Sequence, residues 1–222
     1  MTLINSAWQW FINPANWSGS GSIPLRIGQH FLVSLVAVLI AAIIAIPTGV
    51  AIGHTGRGKS VIAGITGAMR AIPTLGLLTL FGLLIGIGIG APLLALIVLA
   101  IPSLLAGAYS GVESVDTTSI QAARAIGFTT WGIVSRVELP LASPLIVGGI
   151  RSAVLQVIAT STLAAYTADM GLGRYIFAGL KTRDYGQMLG GAILVTVMAL
   201  LAEILFAWLQ RYADNQAHPR SE

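Results

Sequence analysis

Two long runs without charge constrain the fold of this chain more than any other feature of its sequence. No Asp, Glu, Lys or Arg occurs between residues 31 and 53 or between residues 71 and 112. The hydrocarbon core of a bilayer is about 30 Å thick, so a helix needs roughly 20 apolar residues to cross it. Hydrophobic residues make up 55% of the chain and charged residues 9%, and the mean hydropathy is +0.85. The sequence therefore predicts an integral membrane protein.

An all-α fold with about five transmembrane helices is expected, because a backbone surrounded by lipid must satisfy its own hydrogen bonds. The first helix is predicted over residues 31–53. The run from residue 71 to residue 112 is too long for one crossing, and its repeated Gly and a Pro favour a tight reversal at Gly86–Pro92. A fourth span is predicted over residues 141–165 and a fifth over residues 187–209.

The two ends of the chain are expected to lie outside the transmembrane domain, which is predicted to cover residues 23–212. Residues 1–22 have no basic n-region and no convincing cleavage site of a signal peptide. They are predicted to form an interfacial segment, because tryptophan favours the headgroup layer. The large aromatic residues of this segment are Trp8, Trp10, Phe11 and Trp17. Residues 213–222 are predicted to be a short polar tail.

A polar, charge-bearing stretch, QAARAIGFTTWGIVSRVELP, runs from Gln121 to Pro140 between apolar runs. It resembles the cytoplasmic signature loop of ABC importer permeases, whose pattern begins Glu-Ala-Ala, has Gly six positions after the Glu and ends Ile-x-Leu-Pro. Two positions differ from that pattern, since Gln121 stands in place of Glu and Val137 in place of Ile. The residues in register are Ala122, Ala123, Gly127, Leu139 and Pro140.

The resemblance implies that a cytoplasmic ATPase docks on a coupling loop of about residues 113–140. Small side chains at Ala122 and Ala123 allow close approach to a groove on a partner, and Gln121 and Arg124 offer polar contacts at its edge. The alternative is an amphipathic interfacial connector that binds no partner. The full set of predicted docking residues is Gln121, Ala122, Ala123, Arg124, Gly127, Leu139 and Pro140.

Local signals in this loop predict two short helices that lie under the membrane. Thr118 and Gln121 have the spacing of a capping box, so a first helix should begin just after Thr118. Gly127 can end this helix, and a threonine at position 129 or 130 can cap the second. Pro140 is predicted to mark the entry into the next transmembrane helix.

The resemblance covers about residues 25–210 and is greatest to the osmoprotectant branch, which takes up glycine betaine, choline, carnitine and related quaternary amines. Methionine-type and other amino-acid permeases share the five-helix plan, so an amino-acid importer is the alternative. The stretches that support the osmoprotectant branch are Met69–Leu75, Gly111–Asp116, Ala164–Tyr166 and Gly171–Gly173.

Membership of this family implies transport by alternating access and no enzymatic activity in this chain. Two permease subunits, identical or related, would form the pathway. A dimer of cytoplasmic ATPases would bind ATP and Mg²⁺, and an extracytoplasmic binding protein would deliver the substrate. The permease itself would need no cofactor, and it would lie in the inner or cell membrane with its N-terminus outside and its C-terminus in the cytoplasm.

The distribution of basic residues gives this orientation weak support, because Lys and Arg favour cytoplasmic loops. The predicted topology places six basic residues in the cytoplasm and four outside. The cytoplasmic set is Arg57, Lys59, Arg124, Arg136, Arg211 and Arg220. The external set is Arg26, Arg174, Lys181 and Arg183.

The segment from Gly53 to Ser60 fits the phosphate-binding pattern G-x-x-x-x-G-K-S letter for letter. A membrane-bound nucleotide hydrolase is therefore a second alternative. However, a phosphate-binding loop requires a buried strand before it and an α/β domain around it, whereas this segment follows a predicted transmembrane helix. We interpret it as a basic, Gly-rich cytoplasmic turn.

Two ionisable residues fall within predicted spans, Arg151 in the fourth and Glu203 in the fifth. Charge is costly in a membrane and usually faces a bundle interior, a partner or water. We expect the two side chains to pair or to line the inner vestibule. In the alternative interpretation, each side chain extends to the interface.

The loop between the fourth and fifth spans contains Gly, aromatic residues and mixed charge. Tyr166, Tyr175 and Phe177 are candidates for a gate or pathway that guides a quaternary ammonium by cation–π attraction. A plain solvated loop is the alternative interpretation.

Other function classes receive no support from the sequence. The net charge is +4, but the basic residues are scattered and form no stripe that would bind nucleic acid. The chain contains no cysteine, and its three histidines share no spacing typical of metal ligands. These histidines are His30, His54 and His218. No metal site is predicted.

Overall fold

The computed structural model describes residues 2–217, apart from the side chains of Val61, Ala63 and Arg70. His218, Arg220 and the rest of the predicted tail beyond residue 217 lie outside the described residues. The α-helices of the described part are α1 (Leu3–Ile12), α2 (Ile23–Thr55), α3 (Lys59–Ala71), α4 (Thr74–Ile85), α5 (Gly90–Glu113), α6 (Thr117–Ala125), α7 (Thr130–Ile133), α8 (Leu139–Thr160), α9 (Gly173–Thr182) and α10 (Tyr185–Ala217). Short 3₁₀ segments cover Pro14–Asn16 and Ser161–Tyr166, and a π-helical turn covers Val134–Glu138.

The expectation of an all-α membrane protein is confirmed. Within residues 2–217, four helical stretches are long and apolar enough to cross a bilayer: Ile23–Thr55, Gly90–Glu113, Thr130–Tyr166 and Tyr185–Ala217. The helix count is close to the predicted five.

The region predicted as the second span contains the shorter apolar helix α4. Pro73 separates α4 from α3, because proline has no N–H to donate and disfavours helical geometry in the residue before it. The predicted reversal after α4 is present, with φ of 87° at Gly86 and 143° at Gly88. These left-handed values suit glycine, which has no Cβ to clash.

The chain divides into two compact units. The first unit contains residues 1–38, 72–99 and 154–201, and the second contains residues 39–71, 100–153 and 202–222.

The first unit has a core in which the N-terminal segment packs against α9 and α10. Ile23, Leu172 and Tyr175 are buried, and Trp10 and Phe11 pack against them. The rings of Trp10 and Tyr175 meet edge to face with centroids 4.9 Å apart. Trp10 is therefore a packing residue, whereas Trp8 and Trp17 are more than half exposed, as an interfacial segment requires.

A polar face of α2 holds the segment that follows α8 in this unit. Arg26 Nη2 donates to Asp169 Oδ1 at 2.9 Å, and Gly171 N–H donates to Gln29 Oε1 at 3.0 Å. The backbone N–H of Leu172 donates to Nδ1 of the buried His30. Nε2 of His30 consequently carries the proton and lies 2.9 Å from the carbonyl oxygen of Ile158. These bonds anchor the segment to α2.

The second unit is held together by close packing of α2, α5 and α8. A Cβ added at Gly107 would lie 2.7 Å from Gly149 Cα, and one added at Gly49 would lie 2.7 Å from Ala108 Cβ. Glycine therefore lets these helix backbones approach closely, as is common in membrane helices. The coupling loop is carried by α5 and α8 of this unit.

Candidate functional site

The first helix of the coupling loop, α6, begins two residues earlier than a cap at Thr118 would place it. Asp116 is the N-cap residue, and its carboxylate accepts a hydrogen bond from Thr118 N–H at 3.0 Å. The predicted capping box is therefore wrong. Asp116, two residues before Thr118, provides the capping hydrogen bond instead, and its negative charge is stabilised by the positive end of the helix dipole. Gly127 follows the helix with φ of 89°, as predicted for its end.

The second helix of the loop begins where one of the two predicted threonines caps it. Thr129 Oγ1 accepts a hydrogen bond from Gly132 N–H at 3.2 Å, and α7 starts at Thr130. Pro140 is the second residue of α8, so the predicted entry into the next helix is confirmed, although helical structure runs without a break from Thr130 to Tyr166. A π-helical turn, Val134–Glu138, precedes Pro140, and Leu139 N–H bonds to the carbonyl five residues earlier. This wider turn accommodates a proline that has no N–H to donate.

The predicted docking residues differ in exposure. Gln121, Ala122, Arg124, Gly127 and Pro140 are exposed, Leu139 is half-buried, and Ala123 is buried. Ala123 is therefore placed to pack α6 against its own chain, and its exposed neighbours remain accessible to a partner.

Two exposed apolar side chains of this loop were missed from the sequence. Ile126 is 76% exposed and Trp131 is 75% exposed. A large apolar residue in a loop gives no sequence signal of its exposure, because the same residue type is equally suited to a core. Together with the exposed part of α6, they form a surface that we call the docking face, defined by Gln121, Ala122, Arg124, Ile126 and Trp131.

A buried acid at the end of the loop was also missed. Glu138 is 2% exposed, and its two carboxylate oxygens lie 2.9 and 2.8 Å from Nδ1 of His54 in α2. Nδ1 is therefore the donor, since a carboxylate only accepts. The sequence signal was weak, because the two residues are 84 positions apart.

His54 and Lys59 belong to the segment Gly53–Ser60 that fits a phosphate-binding pattern. The segment joins α2 to α3, and both of these side chains contact carboxylates of the same chain. Lys59 binds Glu113 at the end of α5, and this hydrogen bond raises the pKa of Lys59. A lysine that binds a carboxylate at the start of α3, directly after the turn that follows α2, fits the basic-turn interpretation.

Arg151 and Glu203, the two ionisable residues predicted within spans, are in contact. Arg151 Nε donates to Glu203 Oε2 at 2.8 Å, and Arg151 Nη1 donates to Gln210 Oε1 at 2.9 Å. Both charged side chains are about one-third exposed. Arg151 and Gln210 line a cavity of about 680 Å³ in the second unit. Its lining also includes Asp116, Ser119, Arg211 and Asp214.

The three aromatic gate candidates lie in different environments. Tyr166 is 65% exposed, and its ring centroid lies 6.1 Å from that of Phe177 in an edge-to-face arrangement. Tyr175 is buried, and its hydroxyl donates to the carbonyl oxygen of Gly21 at 2.5 Å. Burial raises the pKa of the Tyr175 hydroxyl. Tyr166 is therefore accessible to a solute and Phe177 is half-buried beside it, whereas the contacts of Tyr175 are those of a core residue.

Comparison with known proteins relates this geometry to a family. The family described as binding-protein-dependent transport system inner membrane component matches residues 37–218. The chain is 32% identical over 194 residues to the glycine betaine/carnitine/choline transport system permease protein OpuCB of Bacillus subtilis, covering 87% of this chain and 89% of that protein. It is 34% identical over 198 residues to the carnitine transport permease protein OpuCD of Listeria monocytogenes, with the same coverage of each chain.

Two further comparisons extend the likeness. The osmoprotectant import permease protein OsmY of Salmonella typhimurium is 30% identical over 190 residues, which cover 84% of this chain and 80% of that protein. The inward-facing structure of the MetNI methionine ABC transporter has a TM-score of 0.75 over 88% of this chain and 99% of the compared chain. At 22% identity that likeness concerns the fold alone. This multi-pass chain belongs to the family of binding-protein-dependent transport system inner membrane components, the permease subunits of ABC importers, which are transporters and not enzymes.

Proposed function

We propose that this chain is the permease subunit of an ABC importer for quaternary-amine osmoprotectants such as glycine betaine, choline, carnitine or proline betaine. The observation that carries the proposal is the identity of 30% or more, over at least four-fifths of the chain, to permeases named for choline, carnitine or osmoprotectants. Methionine transport gains no comparable support, because the likeness to MetNI is one of fold.

The docking face is the proposed contact with a cytoplasmic ATPase dimer, whose subunits bind ATP and Mg²⁺. Trp131 and Ile126 would enter a groove of the ATPase, and Gln121 and Arg124 would make polar contacts at its rim. Exposed aromatic and aliphatic residues beside a charged rim are typical of interface anchors. Gln121 preserves hydrogen-bonding capacity but carries no charge, so an ion pair with the ATPase at this position is not part of the proposal.

The rest of the complex follows from the same proposal. A second permease, identical or related, completes the pathway, and an extracytoplasmic binding protein delivers the substrate. Residues 23–212 are the transmembrane domain, residues 1–22 lie at the membrane interface outside, and the polar tail of residues 213–222 lies in the cytoplasm. Arg151 and Glu203 line the inner vestibule in this arrangement, where water and protein reduce the cost of charge.

The exposed Tyr166 and the half-buried Phe177 beside it are the proposed aromatic element of the pathway. The ring faces of such residues attract quaternary ammonium groups, by about 0.5–1 kcal/mol at exposed sites. This weak attraction suits a pathway, since a solute that passes must also leave. Replacement of both residues by Leu should reduce uptake of quaternary amines and leave assembly intact; unchanged uptake would remove this element of the proposal.

The test of the proposed function is uptake of labelled glycine betaine, choline and carnitine by cells at high osmolarity, with and without this gene. Methionine serves as the contrast. Loss of quaternary-amine uptake alone is the expected result. Loss of methionine uptake alone would move the chain to the amino-acid branch, and unchanged uptake of all four solutes would refute both assignments.

A further inference from the structure

The contact between His54 and Glu138 joins two parts of the second unit that are distant along the chain. Glu138 is the last residue of the π-helical turn that ends the coupling loop, and His54 lies in the last turn of α2. The covalent chain leads from the coupling loop into α5 and α8. It has no direct connection to the end of α2, so a movement of the loop reaches that helix through non-covalent contacts.

The chemistry of this contact differs from that of the surrounding packing. Gly49 and Gly53 bring α2 close against α5, with a Cβ added at Gly53 lying 2.8 Å from Val112 Cβ and 3.0 Å from Tyr109 O. The bond from His54 Nδ1 to both oxygens of a carboxylate is directional, and it is almost entirely buried on the Glu138 side.

A buried carboxylate such as that of Glu138 is costly to maintain for stability alone. Well-packed apolar residues of similar volume often stabilise a protein equally well or better, because they need no desolvation of charge. Buried polar pairs are retained in some proteins because they specify one arrangement of the elements that they join. The position of Glu138, seven residues after Trp131 and in a turn with non-standard hydrogen bonding, suits that role.

We infer that His54 and Glu138 are positioning residues that make the end of α2 move with the coupling loop during the transport cycle. This inference rests on the proposed function, in which closure of the ATPases displaces the loop. The bonded pair transmits the displacement to α2, and the pathway therefore opens and closes in step with ATP hydrolysis. Without the pair, the loop follows the ATPases while α2 lags behind.

The decisive variant is the double substitution His54→Leu with Glu138→Leu in the assembled, reconstituted importer. The apolar pair removes the buried charge but keeps side-chain volume, so a purely structural role predicts normal behaviour. We expect the variant complex to stay intact. The number of ATP molecules hydrolysed per substrate molecule transported should rise about fivefold or more over the wild type, since fivefold is the lower end of typical allosteric coupling. Glu138→Gln keeps a hydrogen-bond acceptor for His54, so its ratio of ATP hydrolysed to substrate transported should be closer to that of the wild type.

The exposed pair of Arg174 and Asp169 provides the control. Arg174 Nε lies 3.0 Å from Asp169 Oδ1, and neither residue belongs to the coupling loop or to α2. Arg174→Gln should leave the coupling ratio unchanged. If this control raises the ratio as much as the double Leu variant does, the specific role of His54 and Glu138 is refuted.

A second measurement reports on the movement directly and does not require transport. The chain has no cysteine, so Thr55→Cys and Thr130→Cys attach spin labels to this chain at the end of α2 and at the start of α7 alone. In the complex with its ATPase, we expect the distance between the labels to be the same with and without bound nucleotide. In the double Leu variant, it should change with nucleotide.

The two measurements separate the possible failures. A wild-type importer that hydrolyses ATP but moves no quaternary amine refutes the proposed function. The positioning role is still supported in that case if the label distance is the same with and without nucleotide in the wild type but changes with nucleotide in the double Leu variant. A double Leu variant with normal ATP use per substrate and a constant label distance overturns the inference.

Discussion

Arg151 Nε donates a hydrogen bond to Glu203 Oε2 at 2.8 Å, which joins α8 to α10 by an ion pair between two apolar helices. Gln210 accepts a further bond from Arg151 Nη1, so three polar side chains of these helices form one network. Since ionisable groups in membrane helices are expensive, each member of the pair depends on the other.

Removal of either charge should therefore be worse than removal of both. Arg151→Gln and Glu203→Gln should each lower the midpoint of thermal unfolding in detergent, because each leaves the opposite charge without its partner. The double variant should recover much of the loss, and the exchange of Arg and Glu should recover more. Additive losses in the double variant would show that the two residues act independently.

Trp131→Ala should weaken binding of the ATPase to the permease about 30-fold, equivalent to about 2 kcal/mol for an interface anchor. The physical reason is the loss of a large apolar side chain that is 75% exposed in the free permease. The affinity can be measured with purified ATPase and permease in nanodiscs. Trp208→Ala is the matched control, since Trp208 is 62% exposed on α10 and lies outside the docking face. An equal loss for both variants would argue against the docking face.

Gly107→Ala should destabilise the second unit by about 1–3 kcal/mol, the usual cost of an added methyl group in a well-packed contact. The new Cβ would lie 2.7 Å from Gly149 Cα and 2.9 Å from Leu145 O, both of which are backbone atoms. Thermal unfolding in detergent measures the effect. Gly67→Ala in α3 is the control, because nothing lies within 4 Å of its added Cβ and alanine favours a helix by about 1 kcal/mol. A neutral Gly107→Ala would show that α5 and α8 can separate at no cost.

His30→Leu should destabilise the first unit by about 1–3 kcal/mol for each buried polar group that loses its partner. The substitution removes the acceptor of Leu172 N–H and a contact of Ser161 Oγ at 2.7 Å. Hydrogen exchange at Leu172 and the residues after it should accelerate as their anchor on α2 is lost. His30→Gln, which keeps polar atoms near these groups, should show a smaller effect, and unchanged exchange in His30→Leu would contradict the role of this anchor.

Tyr175 should stabilise the first unit at neutral pH, and this contribution to the free energy of unfolding should be lost at high pH. Burial raises the pKa of its hydroxyl above the ordinary value of about 10, so the folded state favours the protonated phenol. The stabilisation is fully present below the ordinary pKa and disappears as the pH rises through the higher folded value. Tyr175→Phe loses the bond to Gly21 O, about 1 kcal/mol at neutral pH. The unfolding midpoints of the two proteins should converge as the pH rises above about 10, and parallel curves would contradict this.

The sequence by itself determined the class of the protein and the positions of several element boundaries. Long charge-free runs require spanning helices, because a lipid-exposed backbone has no other way to satisfy its hydrogen bonds. Gly86 and Gly88 end α4, and Gly127 follows α6, because glycine readily adopts positive φ. The in-register residues of the coupling loop identified the family. These are local properties, and local geometry is largely fixed by residue type.

Only the tertiary structure decided which distant side chains meet and which residues stay exposed. Ala123 is buried while Trp131 is exposed, the reverse of what side-chain size alone favours, because neighbouring helices cover one face of the loop and leave another open. His54 meets Glu138, and Arg151 meets Glu203, through packing of helices that are remote in sequence. Such contacts depend on how helices cross, and a helical period read along one segment carries no information about the face that its neighbour presents.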